Sequence, residues 1–109
     1  MTQEWAEKRK HIRIPFIKGV KVGIGMRRSL DLSVGGMYLE TVFYYPVGTL
    51  LDLQFKLHAS DERPLQLQAE VVRTQEGVGA GLRFLNVSPE DHEKIQKFID
   101  ASIASPSKP

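Results

Sequence analysis

An all-β fold, six short antiparallel strands closed into a Greek-key-like barrel and followed by one helix, is what this 109-residue sequence predicts. Three observations predict it. Apolar and polar residues alternate in one segment after another, the period of a strand with one buried face. Turn-forming residues interrupt that alternation about every ten to twelve positions, the rhythm of a sandwich or barrel and not of strands separated by helices. Near the C-terminus the period changes once, to that of a helix.

Taken in order, Val20, Val22 and Ile24 alternate with Lys21 and Gly23, giving a first strand, and Gly23 to Met26 reads as its turn. Leu30 and Leu32 then lie in phase on a second strand, which Gly35-Gly36 ends. Met37, Leu39 and Thr41 share a face of a third, closed by a turn around Pro46 and Gly48. Leu51, Leu53, Phe55 and Leu57 alternate most regularly of all, against Asp52, Gln54, Lys56 and His58. After the loop "ASDERP" the same pattern returns through Leu65, Leu67, Ala69 and Val71, and again through Val78, Ala80, Leu82 and Phe84. Ser88 is placed to cap a helix, with Pro89 at its first position and Glu90 and Asp91 in the first turn, where a carboxylate meets the positive end of the helix dipole. Ile95, Phe98, Ile99 and Ile103 form one apolar stripe, which predicts a helix docked on an open end or side of the barrel. Three segments result: an N-terminal arm over residues 1–15, the barrel with its helix over 16–103, and a disordered tail over 104–109.

The chain is long enough for one modest core and too short for two. It has no cysteine, which excludes a disulfide framework and a thiolate metal site. The N-terminus lacks the apolar stretch of a signal peptide, and nowhere do eighteen apolar residues run together, so a soluble cytoplasmic protein is expected. The net charge of +2 is unevenly spread. Residues 1–28 carry eight Lys/Arg against Glu4 and Glu7, whereas residues 29–109 carry seven against eleven acids. Basic charge gathered at one end implies an anionic partner. Catalysis finds no foothold. His11, His58 and His92 are scattered, no phosphate-binding loop ends in Gly-Lys-Ser/Thr, and Ser33 has no base nearby in sequence. Neither an enzyme nor a metal site is expected.

Two stretches carry specific chemistry. In "KRKHIR", Lys8, Arg9, Lys10 and Arg13 cluster, and Arg9 and Arg13 stand in an Arg-x-x-x-Arg spacing. A guanidinium presents paired donors that match a phosphate or the O6/N7 edge of guanine, where lysine offers a point charge. In "DLSVGG", Asp31 supplies a carboxylate suited to the N1–H and N2–H donors of guanine, and Ser33 a hydroxyl for phosphate or base. Gly35 and Gly36 permit unusual backbone angles or a close ligand approach.

With both motifs in view the sequence resembles the PilZ domains, bacterial receptors for cyclic di-GMP. Their signature is an Arg-x-x-x-Arg loop followed by Asp/Asn-x-Ser-x-x-Gly on the barrel, and here Arg9 to Arg13 and Asp31 to Gly36 complete both. The strand "GVGAGLRF" and the closing helix are similar too. The resemblance implies a six-stranded barrel whose arginine loop folds over the ligand. Arg9 and Arg13 would then bind phosphates and guanine edges, Asp31 and Ser33 would hydrogen-bond a guanine or phosphate, and Gly36 would keep the backbone clear. Lys8 stands where the family more commonly has arginine when it binds an intercalated ligand pair, so one or two cyclic di-GMP molecules per chain are implied. The expected function is that of a receptor and adaptor: ligand reorders the arm, with Trp5 on it, and changes contact with a downstream protein. The alternatives are a single-stranded nucleic-acid-binding barrel and a PilZ-like adaptor that binds no nucleotide. Against the former, Tyr38, Tyr44 and Tyr45 are read as flanking a turn and not lining a groove.

Overall fold

The computed structural model describes residues 12–104, and within them the predicted six-stranded antiparallel barrel is present, with one additional short strand. In chain order the elements are β1 (Ile14–Pro15), β2 (Gly19–Val22), β3 (Gly25–Ser33), β4 (Gly36–Glu40), β5 (Leu50–Phe55), β6 (Leu65–Gln75), β7 (Gly79–Leu85) and the helix α1 (Pro89–Ala104). Around the barrel the strands run β3-β2-β5-β6-β7-β4, and the pairing of β4 with β3 closes the ring. Closure satisfies the backbone groups that an open sheet would leave along its edges.

The sequence expectations hold where alternation is long. Leu53 and Phe55 on β5, Leu65, Leu67, Ala69 and Val71 on β6, and Ala80, Leu82 and Phe84 on β7 are all buried. They differ at the strand ends. Ile24 does not continue β2: Gly23, with φ of 59°, turns the chain there, and Ile24 sits at the tip, fully exposed. Val78 lies outside β7, in the turn that Gly77 makes with φ of 75°, and its side chain faces solvent. A glycine in the left-handed region ends a strand before the hydrophobic pattern does.

The additional strand arises from an interrupted pairing. β1 and β2 both lie along the same edge of β3, with Ile14 opposite Leu32 and Pro15 opposite Asp31, then Gly19 opposite Arg28. The connecting residues 16–18 hold one residue more than β3 offers, a bulge. Buried Ser29 bridges it, donating its hydroxyl to the Phe16 carbonyl at 2.6 Å and accepting from the Lys18 amide at 3.2 Å. The bulge turns Phe16 into the core, where its ring meets Phe55 edge-on at 6.0 Å and Phe98 of α1 at 5.5 Å.

Helix α1 begins as predicted, with the Ser88 hydroxyl accepting from the Asp91 amide at 3.1 Å. Ile95 and Ile99 are wholly buried in the barrel core, Phe98 packs beside them, and Ile103 is largely exposed. The helix rests on β1 and β3. Among the described residues no helix is long and apolar enough to cross a membrane.

At the pairing of β4 with β7 the backbones approach so closely that a Cβ on Gly36 would lie 1.9 Å from the Leu82 carbonyl oxygen. Neighbouring Gly35 has open space at the same position. Gly36→Ala is therefore expected to lower unfolding free energy in urea by about 1–3 kcal/mol through overpacking, while Gly35→Ala stays within about 0.5 kcal/mol; equal effects would refute the contact. Ile95→Ala empties a core position and is expected to cost about 2–5 kcal/mol in the same measurement.

Candidate functional site

The last residue of the first motif, Arg13, meets the first residue of the second, Asp31, on the outer wall of the barrel. Pairing of β1 with β3 sets Pro15 across from Asp31 and so delivers Arg13, two residues earlier, to the same place. The Arg13 guanidinium donates from Nη1 to Asp31 Oδ1 at 2.8 Å, an ion pair joining residues 18 apart in sequence. The same oxygen accepts the backbone amide of Tyr38 at 3.1 Å, which fixes the carboxylate against the sheet. Asp31 Oδ2 accepts no hydrogen bond among the described residues. Both side chains remain open to solvent, at 46% and 32% exposure, so the pair contributes only ~0.2–1 kcal/mol.

The rest of the second motif serves the β3–β4 turn. Ser33 is buried and its hydroxyl donates to the Gly36 carbonyl at 3.3 Å. The Gly35 carbonyl accepts the Phe84 amide at 2.8 Å and ties the turn to β7. Gly36 does not have a left-handed backbone; the nearness of β7 is what requires a residue without a Cβ. Lys8, Arg9 and Lys10, the remainder of the basic cluster, and Trp5 lie outside the described residues, as do residues 105–109 of the expected tail, whose first residue, Ala104, ends α1.

Cross-strand register extends the site beyond the motifs. Asp31, Tyr38, Gly81 and Arg73 stand in one row across β3, β4, β7 and β6. Tyr38 does not flank a turn, as the sequence suggested, but sits within β4 with its ring on the barrel exterior. Its hydroxyl meets the Gln75 side chain, and the Arg73 guanidinium lies 5.9 Å above its ring. Glycine at 79 leaves room for this arrangement: a Cβ there would strike the Tyr38 ring at 2.6 Å. The ring is thus held by partners on its own wall and half-buried.

Charge along this wall is uneven. One row away, Arg83 is paired with Glu70, and farther along Arg28 with Glu40. Arg73 has no carboxylate partner among the described residues. Asp31 thus has Arg13 beside it, and along its row the backbone of Arg73 is three strand spacings away, roughly 14 Å, with its guanidinium reaching back over the Tyr38 ring. Such a wall favours an anion that also carries hydrogen-bond donors for the carboxylate. Among the described residues no cluster of His, Cys, Asp or Glu can hold a metal ion. Sequence reading missed Tyr38, Arg73 and Gln75 because their neighbourhood depends on register between strands distant in the chain. The outward-facing glycines of "GVGAGLRF" were the available signal.

Comparison with known proteins agrees with this fold. No curated protein matched the sequence. Among solved structures, the chain is similar to the Bacillus subtilis inhibitor of motility (MotI/DgrA), with a TM-score of 0.70 at 17% identity. That match covers 91% of this chain and 53% of the other, so this chain spans about half of the motility inhibitor's length. It is also similar to the PilZ domain of CeSA from a cellulose-synthesizing bacterium, with a TM-score of 0.61 at 18% identity, covering 84% and 98% of the two chains. An uncharacterized Legionella protein aligns with a TM-score of 0.57 at 15% identity, covering 85% and 95%. At such identities the likeness is one of fold. The sequence itself matches the PilZ domain family over residues 7–101, nearly the whole chain and both motifs, and the protein therefore belongs to the PilZ domain family.

Proposed function

We propose that this PilZ domain binds cyclic di-GMP on the wall formed by β3 and β4 and passes the binding event to a partner protein. PilZ domains are binding and adaptor domains for this ligand. The observation that carries the reading is the contact of Arg13 with Asp31, which unites the end of one motif with the start of the other.

Cyclic di-GMP carries two phosphates and two guanines, so it needs cations and a carboxylate within one small area. In the proposed mechanism the weak Arg13–Asp31 pair is exchanged at little cost, because an exposed ion pair contributes so little. Arg13 turns to a phosphate or to the O6/N7 edge of a guanine, and Asp31 accepts N1–H and N2–H of a base. The Tyr38 amide keeps the carboxylate oriented throughout. Arg9, with Lys8 and Lys10, closes over the ligand from the N-terminal segment, and Arg73 supplies a further cation along the same row. Ser33 and Gly36 hold the turn that carries Asp31, so their part is to position it. Ordering of the segment before Ile12 on binding then alters the surface offered to a partner.

Titration calorimetry with cyclic di-GMP tests the site and its stoichiometry together. A charge-assisted hydrogen bond contributes about 1.5–3 kcal/mol, so Arg9→Ala and Arg13→Ala are each expected to weaken binding more than tenfold; an isotherm equal to wild type would remove the assignment. Guanine recognition is checked by competition. The wild type is expected to prefer cyclic di-GMP to cyclic di-AMP, and Asp31→Ala to lose that preference while retaining some affinity for both. Equal binding of the two dinucleotides by the wild type would show that Asp31 does not read the base.

A further inference from the structure

The end of the barrel opposite the β3–β4 turn is built differently from the rest of the surface. There the β2–β3 turn, the loop of residues 41–49 and the β6–β7 turn come together. The Thr41 amide donates to the Val78 carbonyl at 3.1 Å, and Gly48 and Thr49 join the Val71 backbone at 2.7 and 2.9 Å. Tyr45, half-buried, packs against the core. Ile24, Val42, Phe43, Tyr44, Val47 and Val78 all point away from it, and Phe43 and Tyr44 are 60% and 57% exposed. Exposed side chains of this size scattered singly need no explanation, but six on adjoining turns at one pole do.

Two unpaired charges of opposite sign accompany them. Arg27 is held rigidly: its Nε donates to Thr41 Oγ1 at 3.2 Å, its Nη1 to the Met26 carbonyl at 2.7 Å, and its guanidinium lies 4.6 Å from the Phe43 ring centre. It walls a groove of about 460 Å³ together with Glu40, Val42, Phe43, Gly77 and Val78. Glu40 in that groove is already paired with Arg28, so among the described residues Arg27 has no carboxylate partner. Glu76, in the turn on the far side of the groove next to Gly77, has no cationic partner among them either.

We propose that this pole is a self-association surface, on which a second copy of the chain docks about a two-fold axis. An isologous contact pairs residue i with j and j with i. The apolar crown packs on itself, and Arg27 of each copy meets Glu76 of the other. An anionic membrane suits the pole less well, because the charged groups around the groove, Arg27, Arg28, Glu40 and Glu76, are two of each sign and Asp52 beside the β2–β3 turn adds a further acid. The area is adequate: Phe43 and Tyr44 alone offer roughly 200 Å², and the four aliphatic residues extend this toward the about 800 Å² that a stable interface removes from each partner. Because Asp31 and the β3–β4 turn lie toward the other end, such a dimer leaves both nucleotide sites open. This inference does not depend on the nucleotide reading.

Sedimentation velocity of the full chain from micromolar to millimolar concentration tests it. The wild type is expected to dimerise in that range, and Phe43→Asp to raise the dissociation constant more than about tenfold, with the far-ultraviolet dichroism and melting profile of the wild type. Arg27→Glu and Glu76→Arg are each expected to weaken the dimer, and the double variant, which restores opposite signs across the axis, to recover it. A wild type that stays monomeric throughout, a dimer indifferent to Phe43→Asp, or a double variant no better than either single one would overturn the proposal. Sedimentation of the monomer with phosphatidylserine vesicles, lost in Phe43→Asp, would overturn it in favour of a membrane-facing role.

Discussion

The pairing of two residues, Ile14 and Pro15, with Leu32 and Asp31 decides where the N-terminal segment meets the barrel. Everything proposed for the site follows from that short ladder. It sets Arg13 against Asp31, turns Phe16 into the core, and gives α1 a surface to rest on. The ladder survives next to a bulge because Ser29, wholly buried, satisfies a donor and an acceptor that the mismatch would otherwise strand. An unsatisfied buried backbone group costs about 1–3 kcal/mol, so one hydroxyl keeps β1 and β2 in their different registers.

The same wall combines firm and loose elements. Ser33, Gly36 and the backbone bonds to β7 fix the turn, and the Tyr38 amide fixes the Asp31 carboxylate. Arg13 by contrast is bound only through an exposed ion pair. In the proposed site this division would put the acceptor in place before the ligand arrives and leave the cation able to exchange one anion for another. The motif serine and glycine are thus accounted for within the barrel, as supports for the turn that follows Asp31.

Strand identity was legible because alternation over five or more residues survives errors at either end, as in β5 and β6. The strand ends were not, since Gly23 and Gly77 stop β2 and delay β7 by taking a left-handed backbone that the apolar pattern ignores. β1 was invisible for another reason: two residues carry no period at all. The meeting of Arg13 with Asp31 was readable only through a family resemblance, and the Tyr38–Arg73 row was not readable even so, because it joins β4 and β6 through β7 in a register no local pattern encodes. The pole bearing Phe43 escaped notice because Val42 to Val47 look like an ordinary turn until the closed barrel shows which way they face.

Phe16 ties these regions together mechanically. Its ring is wedged between Phe55 of the barrel and Phe98 of the helix, only three residues beyond Arg13. A tug on the amino-terminal leader is therefore borne first by the two-residue ladder and then by this wedge. Extracting the wedge would strip α1 of an aromatic neighbour. A pull along the chain at Arg13 thus has a short route to the helix that packs beside it.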